Sequence, residues 1–377
     1  MEENLTRRQA LMVLNALPNI GPITTGRLLE AFDGDPARGL AATARELKQI
    51  ERVGPTIAET ITHWRKHFDL EKEEANLTKL GGKFIIGTDP EYPPLLRDIS
   101  DPPSGLYCLG DYSGSDHAVA IVGSRRSTLY GLAVAKRLAS DLSKLGFWMV
   151  SGGARGIDLA AHEGALDAGG KTAVVLGCGV DIVYPPEHLD LFRRVAKQGA
   201  VLSEFPLGRS ADKQTFPMRN RIIAGMSRAT IVVESDVNGG SMITARQAVD
   251  YGREVFAVPG RIDQVSSRGC HKLIREGEAK LLTGVDDILV EWKYTGQLDI
   301  DLDQPMPHAA PASAEILASL GDDAARIFAL LTGGKPAHPD ELSGQTELPS
   351  ARVAASLLLL ELKRLVVKRA DGRFEAR

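Results

Sequence analysis

The pattern of hydrophobic and polar positions changes along the chain. Up to about residue 78 the apolar residues recur with helical spacing. From about residue 84 to residue 292, short and almost continuous apolar runs such as AVAIVG, TAVVLG and ATIVVES alternate with helical stretches. Strands that are apolar on both faces belong to sheets covered by helices on both sides. The pattern therefore predicts a central α/β domain with a mostly parallel, doubly wound sheet.

The N-terminal segment contains two similar hairpins, LPNIGPITTGRLLEAF from Leu17 and IERVGPTIAETITHW from Ile50. In each, a glycine permits a tight turn and the following proline suits the first position of a helix. Residues 1–78 resemble a tandem helix-hairpin-helix or SAM-like module. Such hairpins can offer backbone N–H groups to DNA phosphates. Because neither hairpin carries a basic cluster, a structural or protein-contact role is equally compatible with the pattern.

The C-terminal segment begins after a proline-rich, acidic stretch without periodicity, residues 294–312, which is predicted to be a flexible linker. Residues 313–377 contain three helical runs, followed by two strand-like runs joined at Asp371-Gly372. Three helices and a hairpin predict a winged-helix domain. Its third helix is rich in leucine, so the helix suits contact with another protein at least as well as binding to duplex DNA. Residues 79–293 are then the central domain.

Composition narrows the class of protein. The 377 residues have a net charge of −4, and the three cysteines, Cys108, Cys178 and Cys270, have no metal-ligand spacing. We therefore expect a cytosolic chain of two or three domains without a disulfide framework or zinc site. No apolar run is long enough to span a membrane, and the N-terminus does not resemble a signal peptide. The negative net charge is weak evidence against binding to nucleic acid, because domains that bind DNA usually carry a positive net charge.

Four glycine-rich turns follow predicted strands, at Gly123, at Gly152-Gly153 with Gly156, at Gly177-x-Gly179 and at Gly239-Gly240. Since the ends of parallel strands meet at one edge, these turns are expected to converge and to offer N–H groups to phosphate. Any one of them is equally compatible with a tight turn and nothing more. None completes a dinucleotide or Walker A fingerprint, and no cofactor or metal is predicted.

One short segment is the electrostatic exception. Between Phe205 and Arg228 the only acid is Asp212. Its centre combines cations, an amide and an aromatic ring, which together are typical of single-stranded nucleic-acid binding: Lys213, Phe216, Arg219, Asn220 and Arg221. Cations neutralise phosphates, and an exposed ring stacks on any base. The alternative is a buried Phe216 with arginines that form ion pairs.

Catalytic residues are not predicted. Ser151, Asp158, His162 and Glu204 are the candidates, but no G-x-S-x-G nucleophile elbow occurs. Asp158 and His162 are four residues apart, a spacing that predicts a structural pair on one helix turn.

The motifs of the central domain resemble those of the DNA-processing protein A (DprA/Smf) family. They include IVGSRRSTLYG from residue 121, SGGARGIDLAAH from 151, GCGVDIVYPPEH from 177, FPMRNRIIAGMS from 216 and GREVFAVPG from 252. His188 and His271 stand where the family more often has asparagine.

This resemblance implies an extended Rossmann-like domain that binds single-stranded DNA without sequence preference, forms a homodimer and loads RecA recombinase during natural transformation. No enzyme activity is implied. Carried over by position, the DNA contacts are Arg125, Lys213, Phe216, Arg219 and Arg221, with phosphate-binding amides at Gly152, Gly153 and Gly156, while Asn220 orients the cluster.

An alternative is a nucleotide-binding enzyme that resembles the LOG-like nucleoside-monophosphate phosphoribohydrolases. That family's turn reads P-G-G-x-G-T-x-x-E. Here Asn238 replaces the proline, and Gln247 and Ala248 occupy the helix where the acid would follow.

Overall fold

The computed structural model describes residues 5–113, 115–294, 321–331, 336–363, 365–369 and 372–376. The chain divides into two compact units, Met1–Leu298 and Asp299–Arg377. Of the predicted linker, residues 294–312, all but residue 294 lie outside the described residues. The boundaries predicted for the four segments stay predictions.

The first part of the larger unit is helical, as its apolar spacing predicts. Its helices are α1 (Arg7–Ala16), α2 (Pro22–Ala31), α3 (Pro36–Ala41), α4 (Ala44–Leu47), α5 (Pro55–Thr62) and α6 (Leu70–Lys79), with a 3-10 turn at Trp64–Lys66. Both predicted Gly-Pro helix starts are confirmed, since α2 and α5 begin at Pro22 and Pro55. Proline at this position costs no hydrogen bond, because the first N–H groups of a helix have no partner within it.

The strands that follow form one sheet. They are β1 (Lys83–Ile86), β2 (Gly105–Gly110), β3 (Ala118–Val122), β4 (Trp148–Ser151), β5 (Thr172–Leu176), β6 (Ala200–Ser203), β7 (Ala229–Val232), β8 (Glu254–Ala257) and β9 (Lys280–Leu281). Their order across the sheet is β1-β2-β6-β5-β4-β3-β7-β8-β9. The pairs β1–β2 and β2–β6 are antiparallel, and the other pairs are parallel. The predicted mostly parallel sheet is confirmed.

Helices cover both faces of this sheet. They are α7 (Leu129–Lys144), α8 (Ile157–Asp167), α9 (Leu189–Gln198), α10 (Thr215–Gly225), α11 (Gly240–Asp250), α12 (Arg268–Arg275) and α13 (Val285–Tyr294), with 3-10 turns at Pro94–Arg97, Pro186–His188 and Val265–Ser267. Successive residues of β5 point to opposite faces. Val174 shares a core with Phe192 of α9 and Leu14 of α1, whereas Val175 shares one with Ile222 of α10. The doubly wound, Rossmann-like arrangement is thereby confirmed.

Strand β3 lies between β4 and β7, so the chain leaves it in one direction and later returns on its other side. This is the point where the strand order reverses, and such a point opens a crevice at the carboxyl ends of the strands. The turns after β3, β4 and β7 all lie at this edge.

The smaller unit has three helices followed by a hairpin: α14 (Asp322–Leu331), α15 (Pro339–Thr346), α16 (Ser350–Leu362), β10 (Val366–Lys368) and β11 (Phe374–Ala376). The two strands pair antiparallel. Ile327, Leu342, Leu357 and Val366 meet in one core. The predicted winged-helix domain is confirmed, although Asp371 of its predicted turn lies outside the described residues. In the described ranges, no helix is both long enough and apolar enough to cross a membrane.

Candidate nucleic-acid interface

A cleft of about 380 Å³ opens where the strand order reverses. Its lining comes from the turn after β3, the turn after β4, the start of α11 and one side of α10. Five of the nine predicted site residues line it: Arg125, Lys213, Phe216, Arg219 and Asn220. Tertiary structure thus brings Arg125 to residues almost a hundred positions further along the chain.

Phe216 forms the aromatic wall of the cleft. Its ring is half-buried and packs on Gly177, where an added Cβ atom would lie 3.2 Å from Cδ1 of the ring. The guanidinium carbon of Arg125 lies 4.9 Å from the ring centroid, within the range of a cation–π contact. Arg125 itself is exposed. A cation beside a partly open ring can meet a phosphate and a base at adjacent positions.

A second ring, which sequence reasoning did not select, lies beside the first. The ring centroid of Tyr184 is 5.8 Å from that of Phe216, and Tyr184 is 43% exposed. Tyr184 lies in the family motif GCGVDIVYPPEH. An aromatic residue within this motif was the feature of the sequence that could have identified it as part of the site. Two neighbouring rings make a longer platform for stacked bases than one.

Arg219 is buried at the base of the cleft, with 4% of its surface exposed. Its Nη1 donates to the carbonyl oxygen of Val175 at 2.9 Å. Burial lowers the pKa of Arg219 to about 10, while the nearby carboxyl of Asp158 opposes that change. The guanidinium is therefore positively charged at neutral pH and is held in a fixed position, which favours attraction of an anion entering the cleft.

In the turn after β4, the amide of Gly152 is not free to bind phosphate as predicted, while the amides of Gly153 and Gly156 stay predictions. The N–H groups of Gly152 and Ala154 donate to Oδ2 of Asp158 at 3.2 and 3.3 Å. Gly153 is buried, and its carbonyl oxygen bonds Nδ1 of His188 at 2.9 Å. The amide of Gly152 is thus already bonded to a carboxylate. What Gly152 contributes instead is space, because Arg219 fills the position of its missing side chain.

Gly156 caps α8 with a φ of 77°, in the left-handed region that favours glycine. An added Cβ there would lie 2.4 Å from the carbonyl oxygen of Ser124. Gly156 therefore lets the turns after β3 and β4 approach each other closely.

The predicted pair of Asp158 and His162 is wrong. Asp158 faces the turn after β4, whereas Nδ1 of His162 shares a 2.7 Å hydrogen bond with the hydroxyl of Thr172 on β5. Helical spacing places two side chains near each other, but the buried polar groups of the sheet and turn compete for them. Burial raises the pKa of Asp158, an effect that Arg219 and the two amides oppose.

Lys213 and Asn220 complete the cleft on the α10 side. Lys213 is exposed just before the helix starts. Asn220 is 9% exposed and its Nδ2 donates to the carbonyl oxygen of Gly240 at 3.4 Å. This weak bond ties α10 to the start of α11.

Arg221 lies on a different side of α10 from the cleft. Its Nη2 donates to Oε1 of Glu204 at 2.5 Å, and its side chain is 5% exposed. Two further cations of the basic segment are also paired, Arg209 with Asp212 and Arg228 with Asp116. The alternative of ion-paired arginines therefore applies to these three. Lys213 and Arg219 remain at the cleft.

Glu234, another residue that sequence reasoning missed, holds the loop that carries Arg125. Its carboxylate accepts from the N–H of Thr128 at 2.9 Å and from its hydroxyl at 2.6 Å. Its carbonyl oxygen accepts from the N–H of Ser124 at 2.7 Å. The signal in the sequence was an acid at the end of the apolar run ATIVVES.

Two helices, α8 and α11, begin near the cleft without a side-chain hydrogen bond at the cap, whereas Asp212 already accepts from the N–H groups of Gln214 and Thr215 at the start of α10. Helix N-termini favour anions, because their first N–H groups and the helix dipole present positive charge. Among the described residues, no group of three His, Cys, Asp or Glu side chains is placed to hold a metal ion. The arrangement suits a ligand that carries both phosphates and flat bases.

Two family models match this chain. Residues 83–293 match DNA recombination-mediator protein A, and residues 307–372 match the DprA winged helix domain. Protein Smf of Synechocystis sp. is 32% identical over 95% of this chain and 96% of that protein. The putative DNA processing protein DprA of Mycobacterium tuberculosis is 35% identical over 90% of each chain.

Two solved structures are also similar. The X-ray structure of DNA processing protein A from Streptococcus pneumoniae has a TM-score of 0.65 and 33% identity, and it covers 77% of this chain and 99% of that one. The protein from Helicobacter pylori, whose structure concerns its mode of binding single-stranded DNA, has a TM-score of 0.52 and 30% identity over 57% of this chain and 96% of that one. With its central domain and its winged helix both matched, and a relative aligned along almost its whole length, this chain belongs to the DprA/Smf family.

Proposed function

We propose that this chain binds single-stranded DNA in the cleft, without sequence preference, and delivers the strand to RecA recombinase during natural transformation in the cytoplasm. The observation that carries the DNA-binding part is the contact between Arg125 and Phe216. It joins a cation to an aromatic ring across two elements that are distant in sequence.

Charge and shape support an unpaired strand as the ligand. Arg125 and Lys213 are exposed at the cleft, and Arg219 supports it from below. Phosphates of a strand would meet these cations, while the bases stack on Phe216 and Tyr184. In a duplex the base faces are already stacked on each other, so the rings would have no surface to contact. The similar protein from Helicobacter pylori binds this class of ligand.

The test is fluorescence anisotropy with labelled oligo-dT, at several salt concentrations. Binding is expected to weaken steeply with salt, because each neutralised phosphate releases counterions. A triple variant, Lys213→Ala with Phe216→Ala and Arg219→Ala, should bind oligo-dT about 100-fold or more weakly. The reason is that it lacks one stacking ring and two cations, each of which contributes to the affinity.

A matched control is Arg193→Ala. Arg193 is an exposed cation on α9 whose side chain pairs with Asp190, and it is not among the residues that line the cleft. It should keep the wild-type affinity. An unchanged affinity in the triple variant would refute the cleft as the DNA site.

The delivery of the strand and the homodimer rest on the family resemblance. Their test is RecA-dependent ATP hydrolysis on DNA already covered by single-strand-binding protein, which the chain should accelerate. Light scattering during gel filtration should give twice the mass of one chain. A chain that binds DNA as a monomer without accelerating RecA would overturn both parts and leave strand binding standing.

A further inference from the structure

A second groove, of about 620 Å³, lies between the N-terminal helices and the segment that leads into β2. We call it the arginine groove. The start of α2 forms one wall, and residues 87–104 contribute the opposite side. Arg7, Arg27 and Arg97 line it, and Glu30 is the acid among the lining residues. The groove therefore carries an excess of positive charge in a chain whose net charge is negative.

A small depression connects the cleft with the arginine groove. This depression, of about 340 Å³, is called the shelf. Pro217 lines both the cleft and the shelf, while Pro22 and Ile23 line both the shelf and the groove. Ile23 is 58% exposed and Met218 is 41% exposed. The three depressions therefore adjoin one another, one after the other, and two apolar side chains stand exposed at the middle one.

The shelf and the groove offer groups that suit a phosphodiester chain. Helix α2 begins after Gly21, which has no side chain to cap the first turn. An anion at this end would be favoured by the N–H groups and the helix dipole. The hydroxyl of Thr25 also lines the groove, is 2% exposed as a residue, and has no hydrogen-bond partner among the described residues. A buried hydroxyl without a partner is costly, so a ligand that supplies one would be stabilised.

The arginines of the groove keep capacity for further bonds. Nη1 of Arg7 donates to the carbonyl oxygen of Gly34, and Nη2 of Arg97 donates to that of Asp89 at 2.8 Å. Each guanidinium has five N–H donors, and carbonyl partners leave its charge unneutralised. Arg27 differs, because its Nη2 lies 3.7 Å from Oε1 of Glu51. Arg7 and Arg97 are therefore the cations most available to phosphates.

We propose that a single strand leaving the cleft continues over the shelf and into the arginine groove, so that the N-terminal helices extend the DNA site. This inference rests on the proposed function of the cleft. Bases would pack on Ile23 and Met218, and phosphates would meet the start of α2 and the groove arginines. The first hairpin then has a DNA-binding role that its sequence alone left open.

The second hairpin provides a control within the same module. Its helix α5 begins with Pro55 after Gly54, as α2 begins with Pro22 after Gly21. Thr56 is exposed and stands at the same helical position as Ile23. Thr56 is absent from the residues that line the cleft, the shelf and the arginine groove. Glutamate at position 56 adds the same charge at the same distance from a helix start, away from the path.

The experiment compares oligo-dT of about 6 nucleotides, near the lower end of the usual size of a single-strand site, with oligo-dT of about 20 nucleotides, which exceeds that size. The variant Arg7→Glu with Ile23→Glu should bind the short strand as the wild type does. It should bind the long strand about tenfold more weakly, with a salt slope smaller by about 0.7 for each phosphate that is no longer neutralised. Thr56→Glu should match the wild type with both strands.

Three results would overturn the inference: an unchanged affinity of the double variant for the long strand, an equal loss for both strands, or an equal loss in Thr56→Glu. Equal wild-type affinity for a duplex of about 20 base pairs would also overturn it, because the path would then not select an unpaired strand. Failure of the wild type to bind either oligo-dT would instead contradict the function proposed for the cleft.

Discussion

The guanidinium of Arg219 occupies the space that a side chain at Gly152 would need. A Cβ atom at position 152 would lie 1.6 Å from Nη1 of Arg219, far inside van der Waals contact. Two separate features of the sequence, a glycine turn after β4 and an arginine in α10, therefore depend on one steric fit. The turn allows Arg219 to reach Val175 and to stand at the base of the cleft.

Gly152→Ala should displace Arg219 and destabilise the larger unit by about 1–3 kcal/mol, the usual cost of an extra methyl group in a packed site. Affinity for oligo-dT should also fall, because the displaced cation no longer supports the cleft. Urea unfolding and anisotropy measure the two effects. Gly26→Ala is the control for the unfolding measurement alone, because Gly26 lines the arginine groove; an added Cβ there meets nothing within 4 Å, and alanine favours a helix interior. Equal stability of the two variants would contradict the steric argument.

Phe216→Ala should weaken binding of oligo-dT by about 1–3 kcal/mol, the range typical for loss of one stacking ring. Phe216→Tyr keeps the ring and should bind nearly as the wild type does. Tyr184→Ala should cause a smaller loss, because its ring lies beside Phe216 and outside the contact with Arg125. Anisotropy at fixed salt measures all three. If Phe216→Tyr lost as much affinity for oligo-dT as Phe216→Ala does, stacking would not be the source of the affinity.

Arg221→Ala should lower the free energy of unfolding more than it lowers the affinity for DNA. It leaves the carboxylate of Glu204 buried without its partner, at a cost of about 3–5 kcal/mol. The folded fraction should bind a short oligo-dT that occupies only the cleft almost as the wild type does, because Arg221 lines the shelf but not the cleft. Arg209→Ala breaks an exposed ion pair and should cost about 1 kcal/mol or less. A loss of affinity for the short strand in Arg221→Ala, without a loss of stability, would instead identify Arg221 as a DNA contact of the cleft.

Burial lowers the pKa of His162 from 6.5 to about 3. In the unfolded chain His162 takes up a proton near pH 6.5, whereas in the folded chain it does so only near pH 3. Folding stability should therefore fall as the pH drops through this window, by up to about 1.4 kcal/mol per pH unit from this group.

The measurement is urea unfolding between pH 7 and pH 4 for the wild type and for His162→Asn. Asparagine can replace Nδ1 in the bond to Thr172 but does not titrate, so its stability should depend less on pH. Parallel pH profiles for the two proteins would show that His162 is not responsible.

Release of free base from a nucleoside monophosphate should not be detectable. The two carboxylates that line the cleft already accept hydrogen bonds, Asp158 from two amides and Asp236 from the N–H of Val237. A hydrolase of the LOG-like class needs an acid free to act on the bound nucleotide, and here Gln247 stands on α11 in the region where that acid would follow. Release that is abolished by Asp236→Asn, in a variant as stable as the wild type, would establish the enzymatic alternative.

Local patterns were sufficient for the elements and for much of the cleft. Apolar runs of strand length between helical stretches predict a covered parallel sheet, and parallel strands bring their ends to one edge whatever the side chains are. For that reason the glycine turns, including the one that carries Arg125, could be expected to converge, whereas it was the resemblance to the DprA/Smf family that joined Arg125 to Lys213 and Phe216 in one site. The two helix starts at Gly-Pro pairs were equally predictable, because backbone geometry and a missing N–H are local properties.

By itself, the sequence determined which residue types meet at this edge: cations, an aromatic ring and small residues. Tertiary structure alone decided how each is used. Arg219 and Arg221 are two positions apart on α10, yet one supports the cleft and the other is buried against Glu204. The reason is that a helix turns about 100° per residue, so neighbouring side chains meet different surroundings, and the acids and carbonyl groups of those surroundings come from distant parts of the chain.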